Sequence, residues 1–123
     1  MSQTLVKLSN RLTPNQKKFV VEVIGTFIVV VFATGSVVID SRLHGALGIS
    51  FIAFVPFVAI AIYVYMFGKI SMAHFNPAVT IGFLITKHIT KIQLAYYVCA
   101  EIIGALLGQK PEPELGILRL HRF

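Results

Sequence analysis

Few side chains in this chain can do chemistry, and those few stand in apolar company. Glu22 and Glu101 each lie inside an apolar run, His74 comes two residues before Asn76, and Asn76-Pro77-Ala78 opens a further apolar stretch. A carboxylate within a membrane-length segment is expensive and faces protein or water. Glu22 therefore reads either as an acceptor for loop N–H groups or as a proton relay. Glu101, in Cys99-Ala100-Glu101-Ile102-Ile103-Gly104-Ala105, takes the same two readings. His74 either braces a loop through hydrogen bonds or titrates as a gate, and with no Cys, His or Asp at ligand spacing it is not a metal site. The Asn76 amide can donate to a passing oxygen or serve as a plain helix cap. No nucleophile-base pair, phosphate-binding glycine loop or metal cluster occurs, so the chain implies neither an enzyme nor a cofactor.

These groups need elements to hold them, and the stretch from Gly68 to Phe83 is the most informative. It is too polar for a spanning helix and too hydrophobic for a surface loop. Asn76 can cap a helix and Pro77 suits its first position, which predicts a helix from Pro77 to about Thr86. Ten residues make about 15 Å, half of a hydrocarbon core of about 30 Å. A half-length helix between two apolar spans is re-entrant, and irregular backbone at that depth has to be buried by protein or line a wet cavity. The segment before Asn76 is thus a pore candidate.

The whole composition agrees with a membrane setting. Of the 123 residues 56% are hydrophobic and 13% charged, and the mean hydropathy is +0.81, which does not describe a water-soluble domain. The formal net charge is +6, but the basic residues lie between apolar blocks and form no stripe with interleaved aromatics, so nucleic acid is not a partner. The lone cysteine, Cys99, has no redox or metal partner and is lipid-facing or packed filler.

In chain order, residues 1–18 form a polar N-terminal arm, a short surface helix or a disordered segment, containing the helix-start pair Thr13-Pro14. Phe19 to Ile39 is a first span of 21 residues with Glu22 as its only charge before Asp40, longer than a signal-peptide core and without a small-x-small cleavage pattern. A polar turn at residues 40–44 leads to a second span of 23 residues, Gly45 to Phe67, with Pro56 near its middle. Pro56 removes a backbone hydrogen bond and kinks the helix, or is tolerated because neighbours satisfy the freed carbonyl. Ile92 to Gly108 is a third span of 17 residues, carrying a Gly104-to-Gly108 small-xxx-small face suited to close helix contact. Residues 109–123 are a charged, proline-interrupted tail. The expected class is an all-α membrane protein with three transmembrane helices and one re-entrant half-helix.

Basic residues set orientation. Residues 1–18 and 68–91 carry seven Lys or Arg on one side, against four on the other, namely Arg42, Lys110, Arg119 and Arg122. The N-terminus is expected in the cytoplasm.

Ile70-Ser71-Met72-Ala73-His74-Phe75-Asn76-Pro77-Ala78-Val79-Thr80 resembles the first signature of the aquaporin, or major intrinsic protein, family, and Glu22-Val23-Ile24-Gly25-Thr26-Phe27 resembles its first-helix Glu-x-x-Gly-Thr pattern. The resemblance covers about residues 19–108, an aquaporin-like half-channel domain. It implies a fold of six spans and two half-helices in an inverted repeat, of which this chain carries one half. The second signature and the arginine of the outer filter have no counterpart, which points to a truncated or frame-shifted member with an atypical tail. By this resemblance Asn76, Pro77 and Ala78 are pore residues, and Glu22, His74 and Glu101 support the loop. Pro56 stands near the outer constriction, where water-selective members often carry an aromatic or histidine. Met72 and Glu101 depart from the family's usual glycine and glutamine. The implied function is passive transport of water or small uncharged solutes in the plasma membrane, with the lipid bilayer as partner. The implied assembly is a tetramer or a pairing with a missing second half. The alternatives are a non-conducting truncated membrane protein and a small proton-coupled transporter using Glu22.

Overall fold

The computed structural model describes residues 11–109. The expectations for residues 1–10 and 110–123, including Lys7, Lys110, Arg119 and Arg122 in the orientation count, lie outside the described residues. Within them the chain is all helical: α1 (Pro14–Arg42), α2 (Gly48–Ser71), α3 (Pro77–Ile85) and α4 (Lys91–Gly108). Three of these, α1, α2 and α4, are long and apolar enough to cross a membrane. At nine residues, α3 reaches only about 14 Å. This is an integral membrane protein of three spans and one half-length helix.

Helix α1 begins before its apolar run. Thr13 caps it through a capping box with Gln16, and Pro14 fills the first turn, so the helix starts at the Thr13-Pro14 pair and residues 14–18 run into the first span. Helix α4 opens the same way, on a capping box between Thr90 and Gln93. Helix α2 has no side-chain cap of its own. Asp40 supplies one from across the turn, its Oδ1 accepting from Leu47 N at 2.9 Å and Gly48 N at 2.8 Å. The turn closes through left-handed His44 (φ 56°) and Gly45 (φ 80°), with Gly45 N donating to Asp40 O at 2.8 Å.

Helix α1 is central, packed on both α2 and α4, while α3 leans on α4. Contact between α1 and α4 is close because Gly104 and Gly108 have no side chains. A Cβ on Gly104 would run into the Val23 carbonyl, and one on Gly108 would lie 2.8 Å from the Phe27 carbonyl. Since Val23 meets Gly104 and Phe27 meets Gly108, α1 and α4 run parallel, whereas the tight turn makes α1 and α2 antiparallel. Among the described residues the buried set is inverted relative to a water-soluble protein, with eight polar or charged residues and six hydrophobic ones. In lipid, apolar side chains gain little by leaving the solvent, so helices associate through small residues and interhelical hydrogen bonds.

Pro56 shows how that works. Its ring removes the N–H that would serve the Ile52 carbonyl. Ser36 Oγ on α1 donates to that carbonyl at 3.3 Å and to Ala33 O at 2.8 Å, so the neighbour satisfies the freed group.

Candidate functional site

After Ser71 the backbone leaves α2 through three left-handed residues that are not glycine, Met72 (φ 67°), Ala73 (φ 51°) and Phe75 (φ 52°). Each costs on the order of 1–3 kcal/mol unless its surroundings compensate. Every N–H in this stretch is satisfied. Met72 N donates to Gly68 O at 2.9 Å and Ala73 N to Ser71 Oγ at 3.1 Å. His74 N donates to Glu22 Oε1 at 3.1 Å and Phe75 N to Glu22 Oε2 at 2.7 Å. One carboxylate thus holds two successive amides, and it is completely buried. Tyr97 Oη anchors the upstream end by donating to Ser71 O at 2.6 Å.

Gly25, one turn along α1 from Glu22, admits the Phe75 ring: any Cβ there would overlap it. Glu22 and Gly25 therefore act on the same residue, the first through the backbone and the second by leaving space for the side chain.

Asn76 is extended (φ −158°, ψ 128°) and caps α3, its Oδ1 accepting from Ala78 N at 2.8 Å. With the oxygen so engaged, the amide NH2 is left to donate elsewhere. Pro77 has no N–H to satisfy, and Asn76, Pro77, Ala78 and Val79 are all exposed on this chain. The carbonyls of residues 72–75 accept no backbone hydrogen bond among the described residues.

Behind the tip, His74 is sandwiched between Phe83 and Tyr97, with ring centroids 4.2 and 4.3 Å away. Its Nδ1 lies 2.8 Å from Thr80 Oγ1, which donates to Glu101 Oε1 at 2.5 Å. A hydroxyl that donates to Glu101 accepts from His74, which puts the imidazole proton on Nδ1 and a lone pair on Nε2. Three buried side-chain atoms, His74 Nε2, Glu101 Oε2 and Thr26 Oγ1, have no partner among the described residues.

The residues singled out in the sequence thus fall into one assembly with the exception of Pro56, which sits half-buried in the middle of α2. Sequence reasoning missed Thr80, Ser71 and Tyr97. Thr80 was findable, because four residues after Asn76 a helix returns to the same face. Tyr97 carried no such signal, since its partner is a backbone carbonyl 26 residues away.

The Major intrinsic protein family profile matches residues 9–110. The chain belongs to this family. Among relatives of the major intrinsic protein family, Nodulin-26 of Glycine max is 35% identical over 107 residues, covering 87% of this chain and 37% of that protein. Aquaporin NIP1-1 of Zea mays is 36% identical, covering 87% and 36%. Glycerol uptake facilitator protein-like 6 of Lactiplantibacillus plantarum is 40% identical over 92 residues, covering 75% and 40%. The chain spans less than half the length of these curated relatives. No solved structure matches it.

Proposed function

We propose that this chain is a channel polypeptide for passive movement of water or small uncharged solutes, with Asn76 at its narrow point. The observation that carries the reading is the exposed N-terminal tip of a nine-residue helix set between two membrane-length helices, with an Asn76 NH2 free to donate. The helix dipole and the Asn76 NH2 at that tip create positive potential, which disfavours cations and protons. The unengaged carbonyls of residues 72–75 offer acceptors on the approach, so a neutral solute exchanges hydrogen bonds along the path. The names of relatives, an aquaporin and a glycerol uptake facilitator-like protein, agree with this solute class.

Glu22, Glu101 and His74 hold the loop in this reading, and no bond to the solute is made or broken. Both Glu22 oxygens are occupied by N–H groups, which favours that role over a proton relay. A constriction at Pro56 rests on the resemblance to the family, whose water-selective members often carry an aromatic or histidine at that place. The N-terminus is cytoplasmic by the basic-residue bias, and the plasma membrane is the expected location.

A second reading has its own support. The tip at Asn76 to Val79 is bare on a single chain, and unsatisfied backbone cannot face lipid. The half-channel therefore needs a facing protein surface, either a further half or a second copy within an oligomer, and alone it is a non-conducting membrane protein. Osmotic light scattering on liposomes containing the chain separates the two. Water or glycerol permeability above that of empty vesicles supports conduction, while equality with them assigns the chain to the non-conducting reading.

A further inference from the structure

Beside the re-entrant loop, and sharing its anchors Glu22 and Tyr97, a cleft of about 50 Å³ opens between the first turns of α1 and α4. Lys18, Asn15 and Gln93 stand around it, with Phe19, Ile92 and Tyr96 as its apolar wall. A larger, shallower hollow adjoins it and shares Asn15, Phe19 and Tyr96. Glu22 closes the floor, four residues and about 6 Å deeper than Lys18, with its oxygens already committed to His74 and Phe75.

The charge at this end of the molecule is one-sided. The parallel run of α1 and α4, and the return of α2 and α3, bring Arg11, Lys17, Lys18, Lys69, Lys87 and Lys91 to the same end. The three described acids, Glu22, Asp40 and Glu101, are all buried, so no exposed carboxylate answers these cations among the described residues. Gln93 spends its Oε1 on Thr90 N at 2.9 Å, which leaves its NH2 to donate. A basic pocket between membrane helices at the headgroup level, with an apolar wall running toward the hydrocarbon, matches a lipid that has an anionic head and an acyl chain.

We infer that this cleft seats an anionic phospholipid, with the Lys18 ammonium on its phosphate, the Gln93 and Asn15 amides beside it, and its chain against Phe19 and Ile92. The cleft lies between two helices of one chain, so the inference holds whether or not the chain conducts.

The test is electron spin resonance on the full chain in phosphatidylcholine bilayers, reading the motionally restricted fraction of spin-labelled phosphatidylglycerol against spin-labelled phosphatidylcholine. The wild type is expected to prefer phosphatidylglycerol, Lys18→Gln to lose about fivefold of that preference, the weight of one lysine at an anionic surface, and Lys18→Arg to keep it. Lys87→Gln, at the same end of the molecule but not lining the cleft, is expected to lose clearly less than Lys18→Gln. No preference in the wild type overturns the inference, as does equal loss in Lys18→Gln and Lys87→Gln, which would mean a diffuse field over the leaflet. Displacement of the labelled lipid by excess inorganic phosphate also overturns it, because the ligand would then be a free anion.

Discussion

At the scale of single residues, Glu22 is the group whose loss reaches furthest. Glu22→Ala leaves the His74 and Phe75 amides buried without acceptors, at about 1–3 kcal/mol each. Glu22→Gln keeps one acceptor oxygen and is expected to fall between. Denaturant titration of the three proteins in mixed micelles, with amide exchange read at residues 74 and 75, checks the order wild type, Gln, Ala. Gly25→Ala acts on the same loop from the side-chain direction. Its methyl overlaps the Phe75 ring, so faster exchange at Phe75 is expected with Glu22 intact, and unchanged exchange would contradict the packing described. Glu22, His74 and Asn76 were legible in the sequence because each is a polar residue in an apolar setting. The partners Ser71 and Tyr97 were not, because they meet through a backbone turn of left-handed residues that no periodicity encodes.

Among the elements, the α1–α2 hairpin illustrates how a helix can depend on groups outside itself. Asp40 caps α2 across the turn, and Ser36 serves the carbonyl that Pro56 orphans. Ser36→Ala is expected to cost about 0.6 kcal/mol, within the range for interhelical hydrogen bonds in membranes. In a Pro56→Ala background the backbone at position 56 regains its own N–H, so the cost of Ser36→Ala is expected to shrink. A double-mutant cycle measures that coupling, and additive effects would exclude the relation. On the other flank, Gly104→Leu drives a side chain into the Val23 carbonyl. It is expected to part α1 from α4, seen as a lower denaturation midpoint in mixed micelles, and an unchanged midpoint would contradict the close contact. The three spans were readable from run length alone, as was the half-helix from Asn76-Pro77. The start of α1 was legible in the Thr13-Pro14 pair, whereas run length alone marks only the apolar part of α1, because its capping box carries the helix into polar sequence that hydropathy leaves out.

For the molecule as a whole, polar residues fill the buried positions and large hydrophobic side chains face outward, with Tyr65 91% exposed and Ile49 77% exposed. That arrangement followed from the composition, whereas the exposed tip at Asn76 could not be placed from sequence because exposure depends on which surfaces meet. Val79→Cys, in a Cys99→Ser background, is expected to react with a water-soluble thiol reagent in liposomes while Ile62→Cys does not. Equal reactivity would count against a wet passage at the tip. The clamp on the loop also has a temporal side. Glu22 emerges from the ribosome 52 residues before His74, its first amide partner. At about 5–20 residues per second the carboxylate waits about 3–10 s for that partner. During that interval the apolar run of α1 keeps it in lipid, but its one carboxylate lacks its amide donors and has to face protein or water at the insertion site. A photo-crosslinker at position 21, beside Glu22, is therefore expected to capture the insertion machinery in nascent chains halted before His74 and to lose it in chains halted after Gly108.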